Sequence, residues 1–315
     1  MGLAAAAGRC GHSVGRCNRR CPRLCGKARA GLEGTLKQIT VVGGGTMGVG
    51  IAYVSAQAGG SVIVVEPNEA RAAGLRKDIA VAASSAVKRG KLTEVEAAAL
   101  EARLTVIDSL SDIPVGQDLI VESVPEDFDL KCRVLGEAAA RDPRLLASNT
   151  SAISIDRLAA AVAKPNAFLG MHFFNPVWSL KLVELVRGAE TSGQALAQAR
   201  EIGAWMGKET LVVRDIPGFA TSRLDLIASL EAMRMLEAEV ASAEDIDRAA
   251  TLAYRHPVGP LRLSDIVGLD VRLDVARALE AAHGPRFAPP KILVEMVAAG
   301  RLGAKSGQGF FDWSE

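Results

Sequence analysis

Cysteine is almost absent from the body of this 315-residue chain. Four of its five cysteines (Cys10, Cys17, Cys21, Cys25) fall in the first 32 residues, and only Cys132 lies beyond. A body with one cysteine has no disulfide framework and reads as a protein of a reducing compartment, so a cytoplasmic location is expected. Aromatic residues are scarce at 4%, and no apolar run approaches the ~20 residues of a bilayer-spanning helix, so no membrane span is expected. Strong charge of either sign is also missing from the body. Residues 1–32 hold seven of the 37 basic groups and no acid, which leaves 30 basic against 36 acidic residues, a net of −6. A mildly acidic surface is a poor partner for nucleic acid, whose phosphates select basic proteins. What is present is apolar: 49% of the residues are hydrophobic, enough at this length for two domains with sizeable cores.

Residues 1–34 differ from the rest, being rich in Gly, Arg and Cys without apolar periodicity. Three readings stand. The simplest is a disordered basic extension. An Arg-rich, acid-free organellar targeting peptide would move the location to the mitochondrial matrix. A metal site from His12, Cys17, Cys21 and Cys25 is the third, although the i, i+4, i+8 cysteine spacing lacks the CxxC pairs of common zinc modules. The segment carries none of the fold argument.

From residue 36 the text becomes regular. Short β-branched or apolar runs at Gln38–Val42, Ser61–Glu66, Leu104–Ile107, Asp118–Glu122 and Leu145–Ser148 read as strands. Helical spacing appears at 46–58, 68–89, 93–103 and 129–141, with a capping box predicted from Thr93 and Glu96. FLGMHF and LKLVELV add two more apolar runs. Strands alternating with helices predict an α/β fold with a parallel, doubly wound sheet. Beyond about Pro217, apolar residues recur at 3.6 spacing through 217–240, 244–254, 262–282 and 289–301, so the C-terminal third is expected to be all-helical. Ser242 is expected to cap the second of these helices. The predicted organisation is residues 1–34 as an extension, 35–215 as a nucleotide-binding domain and 216–315 as a helical domain.

The string VVGGGTMGVGIA places Gly43, Gly45 and Gly48 in GxGxxG spacing. The pattern is weak alone, because a tight βα turn without ligand can show it. Context strengthens it: a strand precedes, a helix follows, and Glu66 ends the next strand. That is the dinucleotide fingerprint. Gly43 would allow the turn, Gly45 would let the backbone approach a pyrophosphate on the helix N-terminus, and Gly48 would let helix and strand pack closely. Thr46 and Met47 belong to the same cofactor-binding loop. Glu66 would accept hydrogen bonds from ribose hydroxyls and repel a 2′-phosphate, so NAD is the expected cofactor rather than NADP. Arg71 nearby could soften that preference.

A dehydrogenase that oxidises an alcohol needs a base for the hydroxyl proton, and histidine suits this near neutral pH. The chain has four histidines. His172 ends one apolar run, and Glu184 interrupts the next, where a lone carboxylate is costly to bury. A core histidine bonded to backbone and a Glu paired with an arginine are the bland alternatives. The polar cluster Ser148–Ser151 ends another strand, and ligands of open α/β sheets lie at the carboxyl ends of the strands. That favours one crevice shared by Ser148–Ser151 and His172–Asn175. His256, His283, Cys132 and Lys305 are expected to be structural, with His283 a helix C-terminal cap. No metal is expected at the site.

Seven collinear blocks carry a resemblance: GGGTMGVGIA, SNTSAISI, HFFNPVWSLKLVELV, PGFATSR, VASAEDID, HPVGPLRLSDIVGLD and GRLGAKSGQGFFDW. In order and spacing they resemble the L-3-hydroxyacyl-CoA dehydrogenase family, from about residue 37 to 313. The resemblance implies an N-terminal Rossmann-type NAD-binding domain, an all-helical C-terminal dimerisation domain, a homodimer, and reversible oxidation of an L-3-hydroxyacyl-CoA, an acyl-CoA substrate. It implies that His172 is the base, Glu184 its partner, and Ser151 a hydrogen-bonding residue for the substrate oxygen. It further implies that Glu126, Lys131, Asn149, Ser151 and Asn175 contact the cofactor, and that Asn175 and Ser222 face the substrate. Two departures stand out. The family usually has Asn where PGFATSR has Ser222, and a hydroxyl reaches less far than an amide. Trp178 replaces part of a Pro-containing string and is expected to narrow or reshape the pocket mouth. Related dehydrogenases of L-gulonate or carnitine, and non-catalytic crystallin relatives, are the alternatives. The first usually depart from HFFNP and SNTS, and the second are disfavoured by the retained Ser151, His172 and Glu184.

Overall fold

A computed structural model describes residues 37–314. The expectations for residues 1–34 therefore lie outside the described residues. Eight strands form one sheet: β1 Gln38–Val42, β2 Ser61–Val65, β3 Leu104–Ile107, β4 Leu119–Glu122, β5 Leu146–Ser148, β6 Phe168–Phe173, β7 Leu182–Arg187 and β8 Glu209–Arg214. Their order is β3-β2-β1-β4-β5-β6-β7-β8. The helices packed with the sheet are α1 Thr46–Gln57, α2 Glu69–Lys88, α3 Glu94–Ala102, α4 Phe128–Ala139, α5 Ile155–Ala159 and α6 Gly193–Trp205.

The central strands are apolar on both sides because both faces are covered. Ile39 and Val41 of β1 join Val121 of β4 in the core on the α1–α3 and α6 side, whereas Val42 and Ile120 join the core that contains Leu135 of α4 and Leu158 of α5. The expected capping box is present: the Thr93 hydroxyl accepts from the Glu96 amide, and Glu96 accepts from the Thr93 amide.

The sheet departs from the expected all-parallel form. β1 to β6 are parallel, but β7 runs antiparallel to β6, and β8 is parallel to β7. The eight residues between β6 and β7 are too few for the crossover that parallel neighbours require. The reversal puts His172 directly opposite Glu184 in the register. Helix α6 and strand β8 are additions that the sequence pattern does not announce. The β8 side chains are nowhere fully buried, as befits an edge strand, so its apolar signal is diluted.

The C-terminal third is helical as expected: α7 Thr221–Glu237, α8 Ala243–Ala253, α9 Pro260–Val267, α10 Leu269–His283 and α11 Lys291–Ala298. They enclose their own core around Leu230, Met233, Leu273, Leu293 and Met296. Ser242 caps α8 by accepting from the Asp245 amide. The predicted helix over 262–282 is two helices, broken at Gly268, whose φ of +104° no helix can hold. No described helix is long and apolar enough to cross a membrane. Residues Leu36–Glu315 form one compact unit, so sheet half and helical half share a continuous body.

Candidate active site

Strand order reverses between β1 and β4, and the loops that follow these two strands part there. A crevice of about 920 Å³ opens at that point. Among the residues lining it are Gly43, Gly45, Thr46, Met47, Glu66, Arg71, Glu126, Asn149, Ser151 and His172. All of these except Arg71 are residues that the sequence pattern or the family resemblance assigns to the site.

The glycine loop has a physical reason at each position. Gly43 has φ +107°, and a side chain there would lie 2.7 Å from the Ser123 carbonyl oxygen. A methyl on Gly48 would lie 1.9 Å from the Gly43 oxygen, so helix α1 could not pack against the strand end. Gly45 is different: an added Cβ would meet no protein atom within 4 Å. The backbone of Gly45 therefore faces open space, and the protein's own packing does not require glycine there. Gly45 also begins α1 with no side-chain cap and no acid in the first turn, which leaves the amides at the positive end of the helix for an anion.

Glu66 follows β2 and points into the crevice. Its Oε2 accepts from the Gly44 amide at 2.8 Å and its Oε1 from the Asn68 amide at 3.0 Å. Arg71 donates from Nε to the Gly44 carbonyl at 2.5 Å and reaches Asp78 at 3.2 Å, so its guanidinium is tied to the loop and to its own helix.

Across the crevice, Glu126 binds the polar segment after β5. It accepts from the Thr150 hydroxyl at 2.5 Å and from the amides of Ser151 and Ala152 at 3.0 and 3.1 Å. Burial pushes the Glu126 carboxyl up, but the Thr150 hydrogen bond and the Lys131 ammonium outweigh this and hold it below the usual range. Lys131 does not line the crevice. It is 1% exposed, with Nζ 2.7 Å from Glu122 and 3.2 Å from Glu126. Its charge thus reaches the crevice through Glu126. Asn149 lines the crevice and accepts from the Phe173 amide at 2.9 Å, joining the ends of β5 and β6. The Ser151 hydroxyl makes no hydrogen bond among the described residues.

The two residues singled out in the apolar runs meet. His172 Nδ1 lies 2.8 Å from Glu184 Oε2, and the Glu184 side chain is fully buried. An ionised carboxylate only accepts, so Nδ1 carries the proton and donates. Nε2, which makes no hydrogen bond among the described residues, then holds a lone pair. Phe174 and Phe219 flank the imidazole, with ring centres 4.3 and 5.9 Å away. Burial pushes the Glu184 carboxyl up, but hydrogen bonds from His172 and Thr221 bring it below the usual range.

Asn175 is exposed at the β6 exit, and Ser222 stands in the first turn of α7, its hydroxyl making no hydrogen bond among the described residues; neither lines the crevice. Trp178, expected to narrow or reshape the pocket mouth, is not among the residues lining the crevice. Its ring packs edge-on against Tyr53 of α1 at 5.6 Å, and Val177 beside it lies over Gly50. Buried Lys208 donates to the carbonyls of Val177 and Leu180 and so pins this connection. His283 is the last residue of α10, but its ring bonds the Pro217 carbonyl at 2.9 Å rather than capping its own helix.

Comparison with known proteins agrees with this geometry. Residues 38–216 match the 3-hydroxyacyl-CoA dehydrogenase NAD binding domain, and residues 218–313 match the 3-hydroxyacyl-CoA dehydrogenase C-terminal domain. The chain belongs to the 3-hydroxyacyl-CoA dehydrogenase family. It is 42% identical over 287 residues to a 3-hydroxybutyryl-CoA dehydrogenase of Mycobacterium tuberculosis, which covers 90% of this chain and 100% of that one. It is 35% identical over 289 residues to the mitochondrial hydroxyacyl-coenzyme A dehydrogenase of Sus scrofa, covering 88% of this chain and 91% of that one. Among solved structures, (S)-3-hydroxybutyryl-CoA dehydrogenase from Ralstonia eutropha superimposes with a TM-score of 0.85 at 37% identity, over 89% of this chain and 100% of that one.

NAD is the cofactor of this dehydrogenase, and the residues present fit it: an uncapped helix start, open space over Gly45, and an acid at the end of β2. Thr150, already expected in the polar cluster after β5, anchors Glu126. Two site residues escaped the sequence reading: Glu122 anchors Lys131, and Thr221 binds Glu184. Each had a visible signal. Glu122 is an acid at the end of an apolar strand, and Thr221 adjoins Ser222, the residue on which the family pattern drew attention.

Proposed function

We propose that this 3-hydroxyacyl-CoA dehydrogenase carries out the reversible oxidation of an L-3-hydroxyacyl-CoA to the 3-ketoacyl-CoA, with short chains such as 3-hydroxybutyryl-CoA favoured. The observation that carries this reading is the buried His172–Glu184 pair beside the glycine-loop crevice. Bound along that crevice, NAD would supply the hydride acceptor. Gly43 to Gly48 and the start of α1 would hold its pyrophosphate, and Glu66 its ribose. Glu126, braced by Lys131, and Asn149 would line its path, and Asn175, exposed at the β6 exit beyond the crevice lining, would meet its nicotinamide end.

His172 takes the hydroxyl proton of the substrate at Nε2. The imidazolium that results is stabilised by Glu184, whose Oε2 already accepts its Nδ1–H. Ser151, whose hydroxyl has no partner among the described residues, donates to the substrate oxygen, and Ser222 meets the acyl portion from the helical half. The relatives named 3-hydroxybutyryl-CoA dehydrogenase support the short-chain preference.

A positioned base is worth roughly 10²–10⁴-fold. His172→Gln should lower turnover of acetoacetyl-CoA with NADH by at least two orders of magnitude while NADH still binds, as read by fluorescence titration. Near-normal turnover would overturn the base assignment, and activity confined to free hydroxy acids would overturn the substrate class.

In this reading residues 35–215 bind NAD and residues 216–315 form the helical domain and pair two copies. Exposed Leu224, Ile266, Val267 and Val271 on α7, α9 and α10 support a homodimer, and sedimentation equilibrium tests it. The body with a single cysteine supports a cytoplasmic location, which a fluorescent fusion would test.

A further inference from the structure

We propose that Thr221 is a positioning residue for the proton transfer. Its hydroxyl donates to the same Glu184 oxygen that holds His172, and so fixes the carboxylate, and through it the imidazole, against the first turn of α7. The proposal rests on the reading of His172 as the base.

A carboxylate offers about four acceptor positions, and the structure fills all four on Glu184. Oε1 accepts the backbone amides of Ala220 and Thr221 at 3.1 and 3.0 Å. Oε2 accepts the Thr221 hydroxyl at 2.7 Å and His172 Nδ1–H at 2.8 Å. Thr221 thus grips both oxygens, one with its amide and one with its side chain. That grip sets the rotation of the carboxylate about its terminal bond, a torsion that is otherwise broad.

The turn before α7 is built to aim these donors. Gly218 and Phe219 both adopt positive φ, +78° and +46°. The second is uncommon for a non-glycine residue and persists only where the surroundings enforce it. His283 holds the turn from behind through the Pro217 carbonyl, and the Phe219 ring lies against His172. Helix α7 has no side-chain cap from its own N-cap residue Ala220; a carboxylate from β7 does that work. Removing the Thr221 hydroxyl leaves this backbone capping intact and removes only the clamp on Oε2. The helix can therefore survive a change that loosens the imidazole.

The test uses Thr221→Val and Thr221→Ser in the full chain with NADH and acetoacetyl-CoA. Small displacements of reacting groups cost rate far more than binding, so Thr221→Val should lower kcat by roughly tenfold with KM within about twofold. Thr221→Ser, which keeps the hydroxyl, should restore kcat. A second readout does not involve turnover. With four histidines in the chain, the downfield Nδ1 proton of His172 is assignable in a nitrogen-edited proton spectrum by its loss in His172→Gln. That signal should move in Thr221→Val and return in Thr221→Ser. Wild-type kcat with an unmoved signal in Thr221→Val would overturn the proposal. So would kcat falling in step with thermal stability in both variants, the sign of a purely structural role. If Thr221→Val does not fold, Thr221→Ala is read by the same criteria. Turnover retained in His172→Gln would instead remove the base reading, an outcome separate from how the Nδ1 signal responds to Thr221.

Discussion

At the scale of single residues, the site is organised by acids that a hydrophobic strand would ordinarily exclude. Glu122 ends β4 with no exposure, and Lys131 reaches it from α4. Ser148 donates to its other oxygen at 2.6 Å, and the Val124 amide to the first at 2.8 Å. A pair this buried gives little net stability, yet removing one partner strands a charge in a medium that cannot solvate it. Lys131→Met should therefore cost about 3–5 kcal/mol in urea unfolding, and it should weaken NADH binding because Glu126 loses its cation. A loss below ~1 kcal/mol would mean that water reaches Glu122. The same comparison shows what the sequence makes legible at this scale. His172 and Glu184 stand out because each interrupts an apolar run, and two neighbouring runs suggest two neighbouring strands. Lys131 lies on an amphipathic helix, where a lysine normally faces water. Nothing local reveals that this one points inward, since its partner is chosen by how α4 lies on the sheet.

At the scale of elements, the glycine loop separates two reasons for the same residue. Gly48 serves packing and Gly45 serves access, as their surroundings state. Gly45→Ala should fold normally, because φ at this position is −68° and the added methyl meets nothing. Its NADH affinity should drop about tenfold or more, some 1.4 kcal/mol, in a fluorescence titration. Gly48→Ala should instead lose thermal stability before any cofactor is added, since its methyl collides with backbone that cannot move aside. Equal behaviour of the two variants would refute the distinction. The βα units around this loop were legible to within a residue or two, since continuous apolar strands and capped helices are local signals. The antiparallel turn at β7 and the edge position of β8 were not. Strand direction follows from the length and path of a connection, and an edge strand mixes polar and apolar residues on both faces. The break at Gly268 was missed because apolar periodicity continues across it from α9 into α10, although the glycine itself was the signal.

At the scale of the molecule, Glu184 joins the sheet to the helices. It binds His172 on β6 and the start of α7 at once, so the NAD-binding half and the helical half share one carboxylate. The direction of its titration makes this contact testable. Burial raises the Glu184 carboxyl and the His172 and Thr221 hydrogen bonds lower it further, for a net depression from the ordinary 4.5. Glu126 is depressed too. A carboxylate with a lowered folded-state value binds protons more readily unfolded, so its contribution is complete above the ordinary value and is lost as pH falls through the folded one. The melting temperature should therefore be level from about pH 7 to pH 5 and decline below the ordinary 4.5. Glu184→Gln keeps the size of the side chain but cannot ionise. It should melt lower than the natural chain at neutral pH, and the gap should narrow as the solution is acidified. Because the two halves pack as one unit, the loss should appear as a single transition moving down in temperature. Two separated transitions in Glu184→Gln would mean that this carboxylate is what makes the halves unfold together. A gap that stays constant down to the lowest pH would mean that its charge contributes nothing to holding them.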